Sequence, residues 1–128
     1  MADTEKITIN MSVVDLGQVD LLVEQGFYSS RTDVIRTAIR RQLDLHGEEV
    51  KQTVARKLLV AGALSYSRTD LEARQARGEV LDIRVVGLVV LDADIPVELA
   101  RATIKRLEVH GVLRASPAVK DALADRMA

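Results

Sequence analysis

Cysteine is absent from the chain. That excludes a disulfide scaffold, a thiolate metal site and a cysteine nucleophile, and it suits a reducing compartment. Tryptophan is absent too, and aromatics amount to 2%: Phe27, Tyr28 and Tyr66. The core must therefore be aliphatic, and stacking platforms for single-stranded nucleic acid are nearly lacking. No apolar run approaches the roughly 18 residues of a membrane span. The opening residues, Met1 to Lys6, lack the basic-then-apolar order of a secretory signal. Charge of one sign is also missing: the net charge is −1 and the pI about 6.1. Residues 1–46 hold five cations and seven carboxylates, and residues 47–128 hold thirteen and twelve. Neither half is a basic tail, so any binding to nucleic acid must come from a local constellation. The expectation is a soluble cytoplasmic protein.

What is present is globular in composition. Of 128 residues, 48% are hydrophobic and 29% charged, with a mean hydropathy of +0.07. This length favours one domain, or a small domain with an appendage.

Residues 6–11 alternate strictly, with Ile7, Ile9 and Met11 on one face and Lys6, Thr8 and Asn10 on the other. Period two is the mark of a half-buried strand. From Val13 to Gln25 the apolar residues recur at helical spacing instead, after a candidate N-cap at Ser12 with Asp15 three residues on. Gly26 is a candidate helix stop. Ser30 and Asp33 repeat the cap spacing, and Val34, Ile35, Ala38, Ile39 and Leu43 follow as one stripe to about Gly47.

Residues 47–78 read as a helical connector in two pieces, broken near Gly62, the second capped by Ser67 and Asp70. Residues 79–128 read as two strand-then-helix units. Ile83-Arg-Val85-Val-Gly87-Leu88-Val89 matches Leu107-Glu-Val109-His-Gly111-Val112-Leu113 at an offset of 24, with Pro96 and Pro117 opening the short helices. Such units suggest two stacked layers, each covering the other's apolar face. Two layers are fewer than the usual three, so the ends need capping by the connector or by a second subunit.

A lone strand before two capped helices cannot form a sheet, and an isolated edge is unstable. A second copy of the strand solves this. Two antiparallel strands would bury Ile7, Ile9 and Met11 on the helices of both chains and turn Lys6, Thr8 and Asn10 outward. A two-stranded ribbon fits the major groove, where Lys can meet guanine acceptors and Asn adenine. The order of strand, helix, Gly26 and the Ser-capped helix Tyr28-Ser29-Ser30-Arg31-Thr32-Asp33-Val34-Ile35-Arg36 resembles the ribbon-helix-helix family, which includes Arc, MetJ and CopG-like regulators and related antitoxins. The resemblance spans Lys6 to about His46. Where the family usually has a proline opening the first helix, this chain has Ser12-Val13.

That resemblance implies an α+β fold: a ribbon-helix-helix domain over 1–46 forming an intertwined homodimer, followed by the connector and the repeat module. It implies base contacts from Lys6, Thr8 and Asn10, and a phosphate held at the helix start by Ser29, Ser30 and Arg31. Free N–H groups and the helix dipole make that helix start an anion site. The dimer core would take in Ile7, Ile9, Met11, Ile35 and Ile39. The function implied is a sequence-specific, nucleoid-associated DNA-binding regulator acting as a repressor on double-stranded DNA, with residues 79–128 available for higher oligomers. The alternatives are an antitoxin with a toxin partner, or a structural protein polymerising through the repeat. No catalytic residue is assigned: no Ser, His and Asp are spaced as a triad, and Asp92 with Asp94 reads as a solvated turn. His46 and His110, without Cys, do not compose a metal site, and no cofactor is expected.

Overall fold

A computed structural model describes residues 4–127. Part of the stretch read for a signal, Met1 to Asp3, lies outside them, as does Ala128. The described residues divide into two compact units, Thr4–Gln52 and a second that begins at Thr53.

The first unit holds α1 (Val13–Glu24) and α2 (Arg31–Leu45). Both start where the caps place them. The Ser12 side chain accepts from the Asp15 N–H, and the Ser30 side chain from the Asp33 N–H, satisfying donors that the first turn leaves without a carbonyl. Gly26, at φ +84°, follows the end of α1. Residues 4–12 form no strand. The period-two segment Lys6–Met11 is thus not paired within one chain, because strand pairing needs a neighbour and none of the described residues supplies one. His46 ends α2, and α3 (Gly47–Arg56) follows at once.

The second unit corrects the helical connector. Between α3 and α4 (Arg68–Ala76) the chain forms a strand, β1 (Val60–Tyr66). Then come β2 (Leu81–Leu91), α5 (Val97–Thr103), β3 (Ile104–Arg114) and α6 (Pro117–Leu123). The strands form one parallel sheet in the order β1-β2-β3. The expected pair of stacked layers is corrected as well. There are three strand-then-helix units, and their strands lie side by side. Parallel neighbours must be joined by a crossover, and each connecting helix serves as one.

The core lies between the sheet and its helices. Ile83, Val85, Val89 and Leu91 from β2 meet Leu71 of α4, Leu99 and Ala100 of α5, Ile104 and Leu107 of β3, and Val119 and Leu123 of α6. The alternation along β2, with odd positions in this core, follows from the two-residue period. Ser67 and Asp70 form a full capping box at the start of α4.

A row of glycines crosses the sheet. Gly62 pairs with Gly87, and Gly87 with Gly111. Their φ angles are +140°, +138° and +129°, conformations open to glycine and costly for other residues. A Cβ on Gly87 would lie 2.1 Å from the Gly62 carbonyl oxygen, and one on Gly111 2.1 Å from that of Gly87. Close approach of neighbouring backbones therefore demands glycine at both places.

Candidate nucleic-acid interface

The first unit lacks a core of its own. Among its described residues none is buried, although eight of the twelve residues of α1 are apolar or glycine, interrupted by Asp15, Gln18, Asp20 and Glu24. Ile7 is 70% exposed, Ile9 58%, Val13 84% and Val14 64%. Exposed apolar side chains grouped in this way mark a surface suited to burial against another element. Ile39, Leu43 and Leu45 of α2 are also exposed, and Ile35 is half-buried. All five residues read as dimer core thus sit partly or wholly in solvent in one chain.

Lys6, Thr8 and Asn10 are exposed in the segment before α1. Ser29, Ser30 and Arg31 gather at the start of α2. There the Ser29 N–H and hydroxyl both donate to Asp33 Oδ2, at 3.0 and 3.2 Å. The Asp33 N–H donates to Ser30 Oγ at 3.1 Å, and the first helical bond runs from the Val34 N–H to the Ser30 carbonyl. The Ser29 amide, read from the sequence as an open donor, is thus occupied by Asp33. The N–H groups of Arg31 and Thr32 are left as the first-turn donors with no helical carbonyl in reach.

Arg31 has a partner that the sequence did not reveal. Its guanidinium forks onto Asp20 of α1, with Nε 2.7 Å from Oδ1 and Nη2 2.8 Å from Oδ2. The bidentate bond holds the Asp20 carboxyl below its ordinary range. Eleven residues separate the two, so no local spacing signals the pair, which forms only once α1 and α2 pack. Asp33, by contrast, was legible as the third residue of a capped helix. Both Asp20 and Arg31 are about half exposed, so solvent and salt reach the pair and another anion can compete for the guanidinium.

A segment of period-two alternation, an uncovered apolar surface and a Ser-capped second helix stand in that order within one unit. A model of the ribbon-helix-helix transcriptional regulator family matches residues 2–120. The chain belongs to that family. Membership makes it a DNA-binding transcriptional regulator in class. The family match runs far beyond His46, where the resemblance read from motifs stopped, and takes in β1 through the first half of α6. The parallel sheet is therefore part of the family pattern in this chain. No curated protein and no solved structure matches it. Among the described residues no helix is long and apolar enough to cross a membrane, and no three His, Asp or Glu side chains are grouped to hold a metal ion.

Proposed function

We propose that the protein is a dimeric repressor that reads its operator with a ribbon made from Lys6–Met11 of two chains. The observation that carries this reading is the missing core of Thr4–Gln52: an apolar α1 and the exposed Ile7, Ile9, Met11 and Ile39 face solvent in one chain. In the dimer, Ile7, Ile9 and Met11 cover the helices, joined by Ile35 and Ile39. Lys6, Thr8 and Asn10 of both chains then face base edges in the major groove. The start of α2 receives a phosphate on the Arg31 and Thr32 amides, with Arg31 exchanging Asp20 for the phosphate. Such contacts fix register and orientation and leave sequence to the ribbon. Repression follows from occupying the operator.

The test is binding to DNA from upstream of the protein's own gene against a scrambled duplex of equal length, at fixed salt because non-specific affinity is salt-dominated. A Lys6→Ala/Thr8→Ala/Asn10→Ala variant that still dimerises should lose the preference. A variant that keeps it would refute the ribbon as the reader.

A further inference from the structure

The two ends of the β1-β2-β3 sheet match each other. Among the described residues, no strand pairs with the outer edge of β1. The outer edge of β3 meets a single parallel bridge, from Leu107 to Met127. Natural sheets blunt such edges with charges or proline. Here β1 carries neither, and in β3 the charges Lys105, Arg106, Glu108 and Arg114 flank the stretch Val109-His-Gly-Val-Leu113, which itself holds only His110. Val60 is 51% exposed and Leu58 before it 73%. Beside β3 runs a groove of about 140 Å³ lined by Leu107, Val109, Gly111, Leu113 and Met127.

The glycine row shows how the ends would join. Gly87 and Gly111 each press against the carbonyl of the glycine one strand earlier, whereas a Cβ on Gly62 would meet nothing within 4 Å. Gly62 has the φ of the other two without the neighbour that they have. At the far end, the Gly111 carbonyl has no following glycine.

From this we infer that the second unit is a head-to-tail assembly surface for another copy of the same chain, the β3 edge of one molecule receiving the β1 edge of the next. Internal pairing fixes the register. Val60 pairs with Val85 and Val85 with Val109; Leu64 pairs with Val89 and Val89 with Leu113. Aligning Gly62 of the incoming copy with Gly111 sets its Val60–Leu64 against Val109–Leu113. The bridge at Leu107 stops two residues short of that stretch and leaves it open. Arg126 holds the approach to the bridge in place, its guanidinium donating to the Ile104 carbonyl at 2.7 Å, while Arg101 pairs with Asp125 at 3.0 Å. The contact is heterologous, so it propagates unless its rotation closes a ring. It joins molecules through a surface separate from Thr4–Gln52 and is independent of how that unit dimerises.

The absence of cysteine permits a register-specific test on the full chain. Ala63 and Val112 both pair with Leu88, on opposite sides. Within one chain they are two strand spacings apart, about 10 Å, too far for a disulfide, which fails beyond roughly 7 Å between Cα atoms. Across the inferred contact they are direct neighbours. An Ala63→Cys/Val112→Cys variant under mild oxidation should give a covalent ladder extending past two chains, while either single variant should not crosslink. Ready crosslinking of Val112→Cys alone would overturn the inference in favour of β3 edges meeting each other. Absence of any crosslink in a double variant with the circular dichroism of wild type would overturn it outright. Sedimentation of wild-type protein decides the matter without variants. Mass should grow with concentration beyond two chains, and a mass fixed at one or two chains across the range refutes the assembly.

Discussion

The glycine row yields a prediction in which two substitutions of the same kind should differ in cost. Gly62→Ala and Gly87→Ala place the same methyl group at nearly the same φ, +140° and +138°. Each incurs backbone strain of about 1–3 kcal/mol. In the unassembled chain, at dilution, only at Gly87 does the new Cβ meet a carbonyl oxygen, at 2.1 Å, where real contacts begin at 3.0 Å. Relief needs roughly 0.9 Å of movement between β1 and β2, which stretches a bond of the usual 2.9 Å beyond hydrogen-bonding range. Two such ladder bonds at about 1 kcal/mol each bring the Gly87→Ala total to about 3–5 kcal/mol. A unit of this size commands only some 4–11 kcal/mol, so Gly87→Ala should remove a large share of it and Gly62→Ala about 2 kcal/mol less. Urea denaturation can isolate the unit. Tyr66 is its one tyrosine, half-buried with the Arg74 guanidinium 5.9 Å over the ring. In a Tyr28→Phe background tyrosine fluorescence reports on this unit alone. A difference between the two variants below about 0.5 kcal/mol, the usual range of neutral substitutions, would refute the close-approach argument.

Other expectations concern different parts of the molecule. Ile39→Ala removes a side chain that is 47% exposed in one chain, yet in the proposed dimer it should weaken association by about 1 kcal/mol per chain, or roughly 30-fold for the pair; unchanged sedimentation equilibrium would remove Ile39 from the interface. Ser67→Ala breaks the capping box of α4 and should cost about 1 kcal/mol, read as a fall in thermal midpoint. Asp20→Ala releases Arg31 and should raise affinity for any duplex, whereas Arg31→Ala should lower it and reduce the salt slope by about 0.9; equal affinities across all three proteins would take Arg31 out of the contact. Acid should destabilise the fold. Glu108 is buried beside β2 and held below its ordinary range by His110, 2.9 Å away, and by Lys57. Asp70 is lowered by the Ser67 N–H and hydroxyl. A carboxyl with a depressed folded value binds protons more readily when unfolded, so its contribution is present above the unfolded value of about 4 and is lost as pH falls through the folded one. The urea midpoint should drop in that window and should drop less steeply in Glu108→Gln; parallel pH profiles would refute this role.

Much of the fold is legible in the sequence because its signals are local. The caps at Ser12, Ser30 and Ser67 each act within three residues, and α1, α2 and α4 begin directly after them. The β-branched runs of β2 and β3 and the prolines that follow are equally plain. β1 is not. Its Val60-Ala-Gly-Ala-Leu-Ser-Tyr66 is rich in small residues that are depleted in or indifferent to strands, and it becomes a strand by pairing with β2. One clue lay in Gly62, 25 residues before Gly87, close to the offset that separates Gly87 from Gly111. The ribbon segment shows the opposite case. Its alternation is clear in Lys6–Met11, but one chain has nothing with which to pair it. At the start of α2, Ser30 and Asp33 were readable from spacing, whereas the Asp20–Arg31 pair depends on how two helices meet.

A first unit without a buried residue also bears on dosage. If two chains are needed to complete it, the amount of competent protein at low abundance scales with the square of chain concentration. Halving the chain concentration would then cut the assembled form about fourfold, and a chain awaiting a partner would present Val13, Val14 and Ile7 to proteases. Under those terms turnover of the unpartnered chain would sharpen the dependence of the assembled form on chain supply.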